Sequence, residues 1–322
     1  MDQTAAVPAQ QSAAAGAPVP TASLSGLAFS KGHGTGNDFV LIADPGDVHE
    51  ISPEQVAQLC DRHRGIGGDG LIRAVPSRYL PEGRVLLEQD DSAEWFMDYR
   101  NGDGSLSEMC GNGVRVFVHF LIAQGLVELG LGQSLTIGTR GGIKKIVRTA
   151  DGYAVDMGPW EFIFPAEAQS KAMDALVSAD GLEVARPGLS VSMGNPHTVV
   201  ALAELSELSA TKLFTAPAVD PKPANGTNVE FVVPSEPLVH DGVGTITMRV
   251  HERGVGETQS CGTGACAAAV AIRHWAGSSA PNSWHVNVPG GVVDVTFFPG
   301  EDGREHVELS GPAVIVASGT LS

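Results

Sequence analysis

The sequence SCGTGAC at residues 260–266 and its earlier counterpart MCGNGV at residues 109–114 are the stretches around which the chain is organised. Each places a cysteine before Gly-x-Gly, and each leads into an apolar run without proline that closes on a glycine, Gly277 or Gly125. This pattern predicts a cysteine at a helix N-terminus, a buried helix and a glycine stop. The unpaired N–H groups of such a first turn can bind a carboxylate, and they lower the pKa of a cysteine placed there.

The two cysteine stretches indicate an internal duplication. A buried cysteine is commonly no more than a small apolar residue, so either stretch alone carries little weight. However, Cys110 and Cys261 are 151 residues apart in the sequence. Two further similar stretches, GNDFV at 36–40 and GNPHTV at 194–199, contain Asn37 and Asn195, which are 158 residues apart. Matching landmarks in the same order predict two related halves, each about the size of one domain.

The surroundings of each cysteine are also alike in the two halves. A strand, a polar loop, the cysteine and a helix follow one another, and Asn101 and Glu252 each stand nine residues before their cysteine. Many short β-type runs surround the two apolar helices. We therefore expect an α+β fold of two pseudo-symmetric domains, each a curved mixed sheet wrapped around a central helix. Residues 65–70 match G-x-G-x-x-G by letter, but a helix precedes them and a strand follows, so we reject dinucleotide binding.

Composition argues against several classes of partner. The formal net charge is −17 and there is no run rich in Lys and Arg, so neither nucleic acid nor a membrane is an expected partner. Four cysteines without a disulfide-framework spacing fit free thiols in a reducing compartment, and the start of the chain lacks the features of a secretory signal. We expect a cytoplasmic protein that acts on a small molecule. Residues 1–26 are poor in large apolar side chains, which predicts a disordered tail.

A pair of thiols that flank one carbon can invert it without a cofactor. One thiolate removes a proton from one face while the other thiol donates a proton to the opposite face. Helix N-termini aimed at an α-carboxylate would stabilise the carbanion, because their N–H donors face the developing charge. A redox pair is the alternative use of two thiols, but Cys261 and Cys266 do not form a C-x-x-C motif. A non-catalytic amino-acid-binding protein would need neither thiol.

From about residue 27 to its C-terminus the chain resembles diaminopimelate epimerases. The resemblance is carried by eight motifs: GTGNDF at 34–39, RGIGGDG at 64–70, NGDGS at 101–105, CGNG at 110–113, GNPH at 194–197, NVEF at 228–231, ERG at 252–254 and CGTG at 261–264. It implies an isomerase independent of pyridoxal phosphate and of metal, which interconverts LL- and meso-2,6-diaminopimelate in lysine and peptidoglycan-precursor synthesis. It also implies a cleft between an N-terminal domain, 27–152 plus 306–322, and a C-terminal domain, 153–305.

The resemblance implies a role for individual residues. Cys110 and Cys261 resemble the catalytic acid and base, and His197 and Glu252 resemble residues that tune the two thiols. The residues that resemble the family's substrate-binding set are Asn37, Gly70, Asn101, Gly111, Asn112, Asn195, Asn228, Glu252, Arg253, Gly262 and Thr263.

Two positions depart from the pattern of some family members. Some members carry Gln where this chain has Gly70, which can offer only its backbone to a substrate. Some place Tyr at a dimer contact where this chain has Ala317, so a homodimer is left open. The alternative from the same fold is another two-thiol amino-acid racemase of the proline racemase type. The charged and amide groups at Glu252, Arg253, Asn101 and Asn228 favour a substrate with a distal ammonium and carboxylate, which proline lacks.

Overall fold

The computed structural model describes residues 24–322 of the chain. Residues 1–23, which make up most of the predicted tail, lie outside the described residues. Leu24 is only 4% exposed, and the N–H group of Gly26 donates a hydrogen bond to the carbonyl oxygen of Leu321 at 2.8 Å. Within the predicted tail, Leu24 and Gly26 therefore contact the rest of the described chain.

The first half of the described chain contains seven strands and three α-helices between residues 24 and 160, with a short 3-10 turn before the second helix. In chain order they are β1 (Ala28–Gly34), β2 (Asn37–Ala43), α1 (Pro53–Cys60), β3 (Gly70–Pro76), the 3-10 turn (Ser77–Tyr79), α2 (Pro81–Gln89), β4 (Trp95–Asn101), α3 (Gly111–Ala123), β5 (Ser134–Thr139), β6 (Gly142–Arg148) and β7 (Tyr153–Pro159).

The remaining described residues, 161–322, contain twelve strands and three helices. They are β8 (Glu161–Phe162), α4 (Pro165–Lys171), β9 (Ala175–Ser178), β10 (Arg186–Ser192), β11 (Pro196–Ala201), α5 (Leu205–Ala210), β12 (Ala218–Asp220), β13 (Asn228–His240), β14 (Val243–Glu252), β15 (Gly256–Thr258), α6 (Gly262–Ala276), β16 (Ser283–Val288), β17 (Gly291–Pro299), β18 (Glu305–Gly311) and β19 (Val314–Thr320).

Strand pairing repeats in the two halves and confirms the duplication. From β1 to β7 the successive pairs are antiparallel, parallel, antiparallel, parallel, antiparallel and antiparallel. The series β10, β11, β13, β14, β16, β17 and β18 has the same six pairings in the same order. In each half the cysteine helix, α3 or α6, packs against these strands. The expected α+β architecture of two mixed sheets, each around one helix, is therefore confirmed.

The two sheets join at the antiparallel pair of β7 with β18. β7 is the last strand of the first repeat and contacts α3. β18 is the last strand of the second repeat and contacts α6. The final strand, β19, returns to pair with β1. We therefore propose domain boundaries after Pro159 and after Gly311, in place of the expected division at 152/153 and 305/306.

The helix termini form as the sequence predicts. The sequence SPEQ at residues 52–55 predicts a helix start with a capping box. Ser52 caps α1 in such a box with Gln55, and α6 ends at Gly277, whose φ of 81° suits a residue without a side chain. α3 and α6 are buried on most of their surface, and the run of small residues at the start of α6 lets the surrounding strands approach it closely. Among residues 24–322, no helix is long and apolar enough to cross a membrane.

Candidate active site

Each of the two repeated cysteines is the N-cap residue of a buried helix. The Cys110 sulfur accepts a hydrogen bond from the N–H group of Gly113 at 3.5 Å at the start of α3, and the Cys261 sulfur accepts one from Gly264 at 3.4 Å at the start of α6. A side-chain acceptor at this position satisfies one of the N–H groups that a helix start leaves unpaired. The predicted placement of both thiols at helix N-termini is thus confirmed.

The two helix starts face each other across the boundary between the domains. A Cβ atom added to Gly262 would lie 3.6 Å from the Cα atom of Gly111 and 2.9 Å from Leu309. The side-chain amide of Asn112 donates to the carbonyl oxygen of Ser260 at 3.0 Å, so the first turn of α3 holds the residue that precedes Cys261. Only residues as small as glycine allow the two helix starts to come this close.

The Cys110 thiol lies beside an asparagine whose orientation is set by an acidic partner. The Asn37 amide nitrogen donates to Asp69 Oδ2 at 2.7 Å, which leaves its oxygen turned toward the thiol, with Cys110 Sγ at 3.3 Å. Arg62 holds Asp69 in turn, with 2.7 Å between Nη2 and Oδ1. Cys110 donates its proton to the Asn37 oxygen, because that oxygen has no hydrogen to give.

The Cys261 thiol lies at the end of a chain of polar contacts. Its sulfur is 3.5 Å from Thr263 Oγ1, which accepts a hydrogen bond from Asn195 Nδ2 at 3.4 Å. The Asn195 oxygen is 3.0 Å from His197 Nε2, and His197 Nδ1 is 2.7 Å from Glu230 Oε1. His197 and Glu230 are both fully buried, so this ion-pair geometry holds the imidazole in one orientation.

Burial dominates the ionisation of both thiols. It raises the pKa of Cys110 to about 11 and the pKa of Cys261 well above the value of a free cysteine. The hydrogen bonds from Gly113 and Gly264 act in the opposite direction but are outweighed. The expectation of lowered pKa values at the helix N-termini is therefore wrong for both thiols, because burial deprives a thiolate of solvation.

Glu252 lies within electrostatic range of both thiols. Its negative charge contributes to the raised pKa of Cys110 and of Cys261. Burial raises the pKa of Glu252 itself, while hydrogen bonds from Thr258 and from Cys261 oppose that shift. A carboxylate of raised pKa that is hydrogen-bonded to a thiol can accept its proton, which fits the expected role of Glu252 in tuning the pair.

Asn228 and Arg253 belong to one loop junction in the second domain. The Asn228 oxygen accepts the backbone N–H of Arg253 at 2.9 Å, and its nitrogen donates to the carbonyl oxygen of Pro196 at 3.2 Å. The exposed guanidinium of Arg253 donates to the carbonyl oxygen of Asn225 at 2.6 Å. Within residues 24–322 this guanidinium has no carboxylate partner, so it is available to bind an anion.

Asn101 and Gly70 are cross-strand partners on β4 and β3. The Asn101 amide donates to Ser105 Oγ at 3.0 Å. A Cβ atom at Gly70 would lie 2.5 Å from the carbonyl oxygen of Arg100 and 2.6 Å from Cε2 of Tyr99, so a longer side chain is excluded unless its neighbours move. Gly70 can therefore contact a substrate only through its backbone.

Several residues of the site were not among the sequence candidates, and three of them are buried. Glu230 is fully buried beneath His197, and a carboxylate inside the apolar run of β13 is the signal that could have revealed it. Ser260 Oγ is 2.9 Å from Thr35 Oγ1, on the opposite domain. Arg115 is fully buried and donates to Asn112 Oδ1 at 3.0 Å; it has no ion-pair partner among the described residues.

Comparison with known proteins agrees with this geometry. A sequence model of the family described as Diaminopimelate epimerase matches residues 29–163 and 189–316. The chain belongs to the diaminopimelate epimerase family. A Streptomyces coelicolor protein named diaminopimelate epimerase is 46% identical over 300 residues, which span 91% of this chain and 94% of that protein. Proteins of the same name from Rhodococcus jostii and Thermobifida fusca are 43% and 41% identical, over 91% and 92% of this chain and 96% and 98% of their own lengths.

Solved structures of less similar proteins share the fold. A Bacillus anthracis protein of the PhzF phenazine biosynthesis family superposes with a TM-score of 0.62 at 15% identity, over 92% of this chain and 99% of the other. A hydroxyproline epimerase from Agrobacterium vitis superposes with a TM-score of 0.58 at 15% identity, over 92% of each chain. At this identity the likeness shows the fold alone.

Proposed function

We propose that this member of the diaminopimelate epimerase family interconverts LL-2,6-diaminopimelate and meso-2,6-diaminopimelate. The observation that carries the proposal is the pair of N-cap thiols, Cys110 and Cys261, on two helix starts that meet between the domains. Two acid–base groups on opposite sides of one carbon are what an inversion requires. The proposed setting is the cytoplasm, in lysine and peptidoglycan-precursor synthesis, and a homodimer stays a prediction.

The substrate α-carboxylate is proposed to bind at the two helix starts. Gly111, Asn112, Gly262 and Thr263 occupy the first turns of α3 and α6, where backbone N–H groups are unpaired. These donors would stabilise the charge that develops on the carboxylate side of the carbanion, since they are already oriented before the reaction begins. The remaining proposed contacts come from Asn37, Asn101, Asn195, Asn228, Glu252 and Arg253, together with the backbone of Gly70.

The proposed reaction needs one thiol and one thiolate in each direction. The thiolate takes the α-proton, the electrons of that C–H bond stay on the carbon, and the opposite thiol gives its proton to the other face. The protein ends with thiol and thiolate exchanged, and proton exchange with solvent resets it. Because burial disfavours both thiolates, Glu252 is proposed to take the first proton from Cys261, to which it is hydrogen-bonded.

The test is incubation of the protein with LL-diaminopimelate in D₂O, with deuterium at the α-carbon followed by NMR or mass spectrometry. We expect meso product that carries deuterium at the inverted carbon. Cys110→Ala and Cys261→Ala should each abolish epimerisation, and each should retain α-proton exchange only for the stereoisomer whose proton faces the remaining thiol. If both variants exchanged the same stereoisomer, a one-base mechanism would replace the proposal.

L-proline serves as the comparison substrate for the alternative racemase activity. Among the fold neighbours is a hydroxyproline epimerase, but its 15% identity supports only the shared fold. Arg253, Glu252 and Asn228 offer groups for a distal carboxylate and ammonium, which proline lacks. Faster exchange with proline than with diaminopimelate would favour the alternative.

A further inference from the structure

Arg115 is a buried cation that the proposed mechanism does not use. It lies in the second turn of α3, and none of its surface is exposed to solvent. Two of its guanidinium nitrogens, Nε and Nη1, have no hydrogen-bond partner among the described residues. Burial lowers the pKa of Arg115 to about 10, so the group still carries its charge at neutral pH. A buried charge without an ion-pair partner is costly, which indicates a role for Arg115 other than stabilising the fold.

The guanidinium lies between two glycines, where a side chain would crowd it. A Cβ atom on Gly34 in β1 would lie 3.2 Å from Arg115 Nη2 and 3.1 Å from the carbonyl oxygen of Asn112. A Cβ atom on Gly311 in β18 would lie 3.3 Å from Arg115 Cζ. β1 is the first strand of the first repeat, and β18 is the last strand of the second. The charged group is therefore placed where the two repeats meet, beside the first turn of α3.

Arg115 determines the direction in which the Asn112 amide points. A guanidinium only donates hydrogen bonds, so the Asn112 atom that lies 3.0 Å from Arg115 Nη2 is the amide oxygen. The amide nitrogen then faces the opposite way, toward the carbonyl oxygen of Ser260 at 3.0 Å, which only accepts. The contact with Arg115 thus keeps the N–H groups of Asn112 on the side of Ser260.

The Asn112 amide contacts a group next to each thiol. Its nitrogen lies 3.0 Å from the carbonyl oxygen and 3.2 Å from Oγ of Ser260, the residue that precedes Cys261. The same nitrogen lies 3.4 Å from Asn37 Oδ1, which accepts the thiol of Cys110. One amide, held by Arg115, therefore links the surroundings of both thiols.

A second contact of Arg115 leads to the same serine. Arg115 Nη2 donates to Thr35 Oγ1 at 3.3 Å, and Thr35 Oγ1 is 2.9 Å from Ser260 Oγ. Thr35 lies in the turn between β1 and β2, and a Cβ atom on Gly290 would lie 1.8 Å from its carbonyl oxygen. This turn is therefore packed directly against the second domain. Both contacts of Arg115 hold Ser260, and with it the start of α6, against the first domain.

We propose that Arg115 is a positioning residue that sets the relative placement of the two thiols through the amide of Asn112. This inference rests on the proposed function, in which Cys110 and Cys261 act on opposite faces of one carbon. Because Arg115 is fully buried, it acts without touching the substrate. An inversion depends on this placement, since a shift of about 1 Å in a reacting group can lower a rate by about a hundredfold.

The test is Arg115→Met, which removes the guanidinium and keeps an unbranched side chain. We expect kcat for diaminopimelate to fall about tenfold or more, with little change in KM, because Arg115 does not touch the substrate. The melting temperature should stay at or above the parental value, because a buried charge is removed and no ion pair of the described residues is broken. Arg115→Lys, which keeps a charged donor, should lose less kcat.

Arg73→Met is the matched control, because Arg73 is also a buried arginine of the first domain. Its guanidinium lies 2.8–3.0 Å from oxygens of Asp44, Asp47 and Asp98. Its loss leaves buried carboxylates without their cation, so the melting temperature should fall while kcat of the folded protein stays parental. Arg73→Lys takes its place if Arg73→Met does not fold. An equal loss of kcat in the control and in Arg115→Met would overturn the inference.

A double-mutant cycle with Asn112→Ala tests the route from Arg115 to the thiols. If Arg115 acts through Asn112, Arg115→Met should lower kcat much less in the Asn112→Ala protein than in the parent. Fully additive losses, or parental kcat in Arg115→Met, would overturn this inference alone. A parent protein that does not epimerise diaminopimelate would instead overturn the proposed function, and this inference with it.

Discussion

His197 Nδ1 lies 2.7 Å from Glu230 Oε1 in a pair that is completely shielded from solvent. The carboxylate also lies close to the second thiol, because a Cβ atom on Gly264 would be 2.8 Å from Glu230 Oε1 and 3.3 Å from Cys261 Sγ. A buried charge is costly without a partner, so this pair stabilises the site only while it is intact. Glu230 thus couples the orientation of His197 to the charge around Cys261.

Replacing the buried carboxylate should make Cys261 more acidic. The charge of Glu230 raises the pKa of Cys261, so Glu230→Gln, which removes the charge and keeps an acceptor for His197, should lower it. We expect iodoacetamide to alkylate Cys261 several-fold faster at pH 9 than in the parent, as measured by peptide mass spectrometry. Cys110 is the internal control, since Glu252 is the carboxylate that raises its pKa.

Glu230→Ala is the comparison for stability. It leaves His197 without its buried acceptor, and breaking a buried pair costs about 3–5 kcal/mol. We expect a clearly lower melting temperature for Glu230→Ala than for Glu230→Gln. Unchanged alkylation of Cys261 in Glu230→Gln would show that the carboxylate carries no charge in the folded protein.

The ligand-free protein should be a poor thiol nucleophile at neutral pH. Alkylation requires thiolate, and below a pKa of about 11 the thiolate fraction of Cys110 falls tenfold for each pH unit. At pH 8 we expect Cys110 to react about a hundredfold more slowly than a free cysteine, whose pKa is about 8.5, and the rate should still be rising at pH 10. Cys110→Ser identifies the modified site. An alkylation rate that levels off below pH 8 would contradict this prediction. It would show that the pKa of Cys110 is low, as expected from its place at a helix N-terminus.

Arg253 should determine recognition of the distal carboxylate. Among residues 24–322, the carbonyl oxygen of Asn225 is the only hydrogen-bond partner of its exposed guanidinium. A charge-assisted contact with a substrate carboxylate contributes roughly 1.5–3 kcal/mol. Arg253→Met should lower kcat/KM for diaminopimelate by about tenfold or more. Lysine, which lacks the distal carboxylate, should be a poor substrate of the parent protein. Arg253→Met should lower kcat/KM for lysine little further. Arg304→Met, which removes an exposed arginine paired with Asp302, is the control and should retain parental kinetics.

Leu24 should mark the true start of the folded protein. It is buried in a small apolar cluster with Leu27, Val40 and Val56. Deletion of residues 1–23 should leave the melting temperature and activity near the parental values, as their composition predicts. Leu24→Ala in the shortened chain should lower the melting temperature by several degrees, since a buried Leu→Ala change costs about 2 kcal/mol or more. Equal melting temperatures would mean that Leu24 contributes no packing.

Local patterns in the sequence were sufficient to predict the architecture and the position of both cysteines at helix starts. Both cysteine helices, their glycine stops and the capping box at Ser52 depend on contacts within one or two turns, and all of them form as expected. The duplication was also readable, because each half repeats the same landmarks in the same order. Helix α2, by contrast, was not predicted, since Leu80 at its N-cap makes no side-chain cap hydrogen bond.

Features that depend on distant residues were decided only by the tertiary structure. The sequence by itself placed both thiols at helix starts, but burial by residues from both domains raises their pKa values, and no local pattern reports burial of that kind. Glu230 meets His197 only because β13 pairs in parallel with β11. The pairings of β8 with β10 and of β19 with β1 likewise depend on residues that are distant in sequence, and for this reason we propose the boundaries from the strand pairing. The hydrogen bonds within a helix turn are determined by residues that are neighbours in the sequence. Solvent exposure and the pairing of strands depend on the assembled fold.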